Sequence, residues 1–129
     1  MATVPPSRDR LRVPGVAFLL SQLGSQSTRL WKDRLAPLGV DSRHAVLLRH
    51  VAVAEGQSQQ ALGKAMRIPA SRMVALVDEL ERSGLLQRRP SPADRRAHAL
   101  FLTGEGRRAL DRVMEVSGEH EAQLCQGLT

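Results

Sequence analysis

The chain is short of aromatic rings, cysteine, acidic residues and long apolar runs. Its 129 residues include no tyrosine, one tryptophan and two phenylalanines. A core with so few large rings must rest on Leu, Val, Ala and Met, which suits helices packed on helices better than a β-sandwich. Cys125 is the only cysteine, so an intrachain disulfide is excluded. One free thiol fits a reducing cytosol, and the expected location is the cytoplasm. The longest early apolar run, Val16-Ala17-Phe18-Leu19-Leu20, meets Ser21-Gln22 at once. It is too short to span a bilayer and no small-residue cleavage site follows, so no membrane partner is expected. The sequence shows no Ser/His/Asp set, paired-carboxylate motif or Gly-rich phosphate loop. A non-catalytic protein without cofactor is expected. Metal is not expected either. His44 and His50 stand about 240° apart around a helix, and His120 and Cys125 only roughly share a side.

Positive charge is abundant. Lys and Arg number 19 against 13 Asp and Glu, for a net charge of +6. A basic surface favours polyanions, because each phosphate contact releases condensed counterions. Solvated basic surfaces are also common, so distribution decides between the two. Arg82, Arg88, Arg89, Arg95 and Arg96 crowd together, whereas the acids gather at Asp78-Glu79-Glu81 and towards the C-terminus.

The length suits one domain with one core, residues 1–129. Residues 1–12 read as a loose basic arm. A helix is expected over about 14–35, weakened by Gly24-Ser25-Gln26-Ser27 and ended by Pro37 and Gly39. Asp41 caps a second helix over about 42–54, with Ala45, Val46, Leu48, Val51 and Ala52 inward. Ser58 caps a third, Gln59 to Met66, in which Gly63 makes sense only if another helix passes close by. After the turn Arg67-Ile68-Pro69, a fourth helix runs from Pro69 to Ser83, and Gly84 takes a left-handed C-terminal cap. Met73, Leu76, Val77 and Leu80 share its buried face; Ser71, Ala75, Asp78 and Arg82 lie opposite. Two short strands, 85–87 and 97–102, flank the basic loop Arg88-Arg89-Pro90-Ser91-Pro92-Ala93-Asp94-Arg95-Arg96. Thr103 caps a last helix over about 105–126. The fold class is mainly α with a small β-hairpin: a helix pair, then a basic hairpin, between long terminal helices. Such a hairpin beside a helix can grip duplex DNA, the helix in the major groove and the hairpin tip in the minor groove.

The ordered set of motifs resembles the winged helix-turn-helix of MarR-type transcriptional regulators. It comprises Ser58-Gln59-Gln60-Ala61-Leu62, then Leu76 through Leu86, the loop Arg88 to Arg96, and Leu102-Thr103-Gly104-Glu105-Gly106, with Leu35 through Val40 as the join between the first two helices. The likeness covers about residues 14–129. It implies a DNA-binding lobe over 41–103 and dimerisation helices over 14–35 and 104–129. It also implies a homodimer on a pseudo-palindromic double-stranded site, acting as a repressor.

The recognition helix would present Ser71 and Arg72 at its N-terminal end. Arg72 can fork onto guanine O6 and N7 or touch only phosphate. The family often carries polar or basic residues where this chain has Val74 and Ala75; Ala75 can permit close approach or touch a thymine methyl. The resemblance places Arg96 at the wing tip in a minor groove, where focused negative potential favours arginine. Asp94 would stiffen that loop by an internal salt bridge. Arg95 joins Arg96 there, the alternative being a solvated turn. Gln59, Gln60, Lys64, Arg88 and Arg89 are candidate phosphate contacts, which position without specifying sequence.

Family likeness further implies a small aromatic or anionic effector, for which Phe18, Trp31, His44 and Leu48 are the lining candidates; each is equally a core residue. Two rival readings stand beside this one. The first is a winged-helix module for protein contact that has lost DNA binding, supported by Val74 and Ala75. The second is a redox sensor through Cys125, disfavoured because a helix C-terminus opposes a thiolate. Relatives usually add a further helix, and Gly127-Leu128-Thr129 reads as its lead-in, with Thr129 as cap. A shortened chain or a reduced dimer interface would explain why the sequence stops there.

Overall fold

The structure, a computed structural model, describes residue 8, residues 12–94 and residues 96–128. Of the expected basic arm only Arg8 and Arg12 fall inside this range; Arg95 and Thr129 lie outside it. Among the described residues five helices and one hairpin follow in order: α1 (Val16–Leu35), a 3-10 turn (Ala36–Leu38), α2 (Ser42–Val53), α3 (Gln59–Ala65), α4 (Ala70–Arg82), β1 (Leu86–Pro90), β2 (His98–Leu102) and α5 (Gly104–Leu124). The architecture is the one the sequence implies.

Local chemistry sets the boundaries. The Asp41 carboxylate accepts hydrogen bonds from the backbone N–H of Arg43 at 2.9 Å and of His44 at 3.0 Å, starting α2. The Ser58 hydroxyl does the same for Ala61 at 3.0 Å, and the Thr103 hydroxyl for Gly106 at 2.9 Å. Each satisfies an N–H that has no partner within the helix. Pro69 sits one position earlier than expected, as the residue before α4, in extended backbone. Gly84 has φ 75°. With it, Leu85 N–H bonds to Leu80 C=O at 2.9 Å and Gly84 N–H to Glu81 C=O at 3.0 Å, the paired bonds of a left-handed helix stop.

The hairpin is antiparallel, with Leu86 opposite Leu102, Arg88 opposite Leu100 and Pro90 opposite His98. β1 is longer than expected, so Arg88, Arg89 and Pro90 belong to the strand and not to the loop. Alternation then sends Leu86 and Arg88 to the face that packs on α4, and Gln87 and Arg89 to the other.

The core gathers around α2, which packs against α1, α4, β2 and α5. Its buried residues are Ala45, Leu47, Leu48 and Val51. Val46, expected inside, is exposed and Leu47 takes its place, because neighbours on several sides widen the covered face beyond a single stripe. Met73, Leu76, Val77 and Leu80 of α4 are buried as expected. Gly63 of α3 is buried, and a Cβ there would lie 3.6 Å from Met73 Cγ of α4. Gly106 is tighter still: a Cβ would stand 2.0 Å from the Leu85 carbonyl oxygen.

α1 and α5 pack side by side. Arg34 pairs with Glu119 at 3.2 Å, and Ser27 Oγ lies 3.1 Å from His120 Nε2. Of α1 only Leu35 is buried, while Val16, Phe18, Leu19, Leu20 and Leu23 are exposed. No helix among the described residues is long and apolar enough to cross a membrane.

Candidate nucleic-acid interface

The interface is assembled from α3, α4 and the hairpin. With Met73, Leu76, Val77 and Leu80 inward, the helical period leaves Ser71, Arg72, Val74 and Ala75 exposed along the first turns of α4. No side chain caps that end of the helix, where Ser71 and Arg72 are exposed. Gln60 and Lys64 are exposed on α3.

The hairpin closes through backbone bonds. Ser91 N–H donates to Ala97 C=O at 3.0 Å, and Ala97 N–H to Asp94 C=O at 3.0 Å. The Asp94 carboxylate accepts from the Arg96 backbone N–H at 2.9 Å. Asp94 thus stiffens the tip, but by a turn bond; among the described residues it makes no salt bridge. A short side chain two residues before the amide reaches it more readily than it reaches a long guanidinium. Arg96 is exposed at the tip.

Arg88 departs from expectation. Its side chain is 17% exposed and its guanidinium is engaged internally, pairing with Asp78 at 2.6 Å and Glu81 at 3.3 Å. Nε donates to Gln59 Oε1 at 3.0 Å, which draws Gln59 into the same network. Neither is a free phosphate ligand in this arrangement. Arg89 turns to the opposite face, 4.2 Å above the Phe101 ring, and donates to Gln87 Oε1 at 3.1 Å. It is a cation held at the base of the wing.

Lys64, Arg67, Arg72 and Arg96 are exposed and have no acidic partner among the described residues. Arg67 is the one that the sequence reading passed over as a turn residue. It has φ 54°, the only non-glycine residue with positive φ among those described. Arg43, Arg67 and Arg72 line one hollow of about 340 Å³ beside the start of α4, together with Glu79. The basic residue before Ile68-Pro69 was the available signal.

Of the four effector candidates, Phe18 and Trp31 lie on α1, and His44 and Leu48 lie about one turn apart on α2. Leu48 is 0% exposed, wholly inside the core. His44 Nε2 lies 2.7 Å from Glu79 Oε2, bridging α2 to α4. Trp31 packs against His120, the ring centroids 5.5 Å apart and the planes tilted by 43°. Phe18 is 56% exposed and borders a shallow hollow with Ser21, Gln22 and Arg29.

Asp41 and Cys125 are among the ionisable groups that depart from their ordinary values. Burial opposes ionisation of Asp41. The His44 amide, the Arg43 guanidinium and nearby positive charge outweigh it and hold the carboxyl below the usual range. The Glu121 carboxylate, 3.5 Å from Cys125 Sγ, raises the thiol, and desolvation adds to the effect.

A helix-turn-helix whose second helix bears exposed polar residues, followed by a hairpin with an arginine tip, defines a winged helix-turn-helix. A family model described as MarR family matches residues 38–97. CouR from Rhodococcus jostii RHA1, in a structure with p-coumaroyl-CoA, is 32% identical; the match covers 88% of this chain and 80% of that one, with TM-score 0.76. The transcriptional repressor CouR bound to a 23-mer DNA duplex matches with TM-score 0.81 at 26% identity, over 98% and 88% of the two chains. A mutant of MarR from E. coli complexed with operator DNA shares the fold, with TM-score 0.79 at 21% identity over 96% and 89%. The chain belongs to the MarR family of winged-helix, DNA-binding transcriptional regulators.

Proposed function

We propose that the protein is a homodimeric repressor that binds a pseudo-palindromic duplex and is released by a small aromatic or anionic effector. One observation carries the DNA reading. The outer face of α4 and the wing tip are both exposed and both bear cations without an acidic partner among the described residues. Ser71, Arg72 and Ala75 enter the major groove and Arg96 the adjacent minor groove, with Arg95 beside it. Gln60, Lys64 and Arg67 hold phosphates, and Arg89 supplies a further cation at the wing base. Gln59 and Arg88 hold each other instead.

The dimer reading rests on α1. Its exposed Phe18, Leu19, Leu20 and Leu23 form an apolar stretch of the kind that a second subunit covers. Together α1 and α5 supply the dimerisation helices, and two copies of α4 about 34 Å apart read the two half-sites. CouR, described as a repressor and captured with p-coumaroyl-CoA, supports the repressor role and the effector class. Phe18 and Trp31 remain the side chains offered to an effector. Such a regulator works in the cytoplasm, at the nucleoid.

Titration of the dimer against its own upstream DNA tests the proposal. With roughly six to ten phosphate contacts, affinity falls about 10³–10⁵-fold between about 50 and about 200 mM salt. Salt-independent binding contradicts the reading. Val74, 42% exposed on α4, favours one alternative, a protein-binding surface. Absence of binding to that DNA, together with capture of a protein partner that Val74→Asp abolishes, would establish it instead.

A further inference from the structure

One guanidinium ties three elements together. Arg88 leaves β1 on the face towards α4, and each of its three nitrogens is engaged. Nε donates to Gln59 of α3, Nη1 pairs with Asp78 and Glu81 of α4, and Nη2 donates to the Val74 carbonyl at 3.4 Å. The Arg88 backbone N–H adds a bond to Glu81 Oε2 at 3.1 Å. Gln59 starts the first helix of the motif, Val74 to Glu81 run along the recognition helix, and Arg88 lies on the strand that leads to the wing tip. We infer that Arg88 is a positioning residue for DNA binding: it sets the wing at a fixed distance from the recognition helix, so that both enter their grooves together. This rests on the DNA-binding reading above. A second consequence concerns charge. Asp78 and Glu81 are side-chain exposed by 47% and 43% on a helix that approaches polyphosphate. Arg88 offsets one of their two charges; without it both carboxylates repel the duplex.

The planar fork is essential to this role. A guanidinium offers five donors in a rigid plane, whereas a lysine ammonium is one point charge on a flexible stem. Arg88→Lys keeps the charge that a phosphate contact would need and loses the three-way geometry. A positioning residue and a phosphate ligand therefore give opposite results.

The test is a DNA titration at several salt concentrations with wild type, Arg88→Lys, Arg96→Ala and the double variant. Circular dichroism confirms that each is folded at the working temperature. We expect Arg88→Lys to weaken binding about tenfold or more, with a salt slope that falls no further than that of Arg96→Ala, because the displaced wing withdraws the Arg96 contact. The Arg96→Ala effect should shrink severalfold in the Arg88→Lys background, because a displaced wing no longer delivers Arg96. A loss of global stability alone would leave that factor the same in both backgrounds. Wild-type affinity in Arg88→Lys overturns the inference. An equal Arg96→Ala factor in both backgrounds overturns it too. If the wild type binds no duplex, the functional reading fails and this inference falls with it.

Discussion

Gly106 and Gly118 lie on the same helix, and replacing each with alanine should move stability in opposite directions. At Gly106 the added Cβ would stand 2.0 Å from the Leu85 carbonyl oxygen and 3.0 Å from its carbon. Real contacts of that kind are more than an ångström longer, and the obstacle is backbone, which cannot rotate away. The same carbonyl accepts from Thr103 N–H at 3.1 Å. The Thr103 hydroxyl in turn donates to the Gly84 carbonyl at 2.6 Å and accepts from Gly106 N–H. Moving α5 outward therefore loosens its cap and its tie to the end of α4. A clash, a strained cap and a lost backbone bond together cost about 3 kcal/mol or more, a large share of a typical 5–15 kcal/mol. For a chain of this size that is a fall in Tm of roughly 10 °C. At Gly118 nothing lies within 4 Å of the added carbon, and alanine gains about 0.5–1 kcal/mol in a helix interior. Thermal unfolding followed by circular dichroism, at one fixed protein concentration, measures both. A Gly106→Ala protein that melts within a degree or two of wild type would refute the steric reasoning.

Three further outcomes are expected. Arg72→Ala costs about 1–3 kcal/mol and relaxes selectivity at one base pair per half-site; uniform weakening on every sequence, with the salt slope lower by about 1, would assign Arg72 to phosphate instead. Asp41 has a depressed carboxyl pKa in the folded chain, so its charge adds stability above the unfolded value of about 3.9 and loses it as pH falls through that value towards the folded one. Asp41→Asn keeps a capping side chain, so its deficit in chemical denaturation should start to shrink as pH falls below about 4 and vanish only below the folded value; a pH-independent deficit would contradict the sign. Cys125, its thiol held protonated beside Glu121, should give the same peroxide response of DNA binding in wild type and Cys125→Ser. Loss of that response only in the variant would restore the redox reading.

What could be read from the sequence was local. Asp41, Ser58, Thr103 and Gly84 announce where α2, α3, α5 and α4 begin or end, because capping depends on residues within one turn. The buried face of α4 follows from its period. Val46 and Leu47 could not be told apart, since the sides on which α2 is covered depend on elements distant in sequence. Gly106 gave no sign that the Leu85 backbone would arrive against it. Of the candidate interface, Ser71, Arg72 and Arg96 were legible from position in the motif. Arg88 was not. A cation in a basic stretch reads as a phosphate ligand until folding brings Asp78, Glu81 and Gln59 to it. Arg67 was hidden in a turn, and its left-handed backbone is visible only in the fold.

Chemical footprinting with a methylating agent puts the paired-groove arrangement to its most direct trial, because guanine N7 lies in the major groove and adenine N3 in the minor. On the bound upstream duplex, guanine N7 should be protected at two places about one helical turn apart, each flanked by protected adenine N3. Arg96→Ala should remove only the N3 protection. Protection of N7 alone in the wild type, or N3 protection that survives Arg96→Ala, would contradict the account.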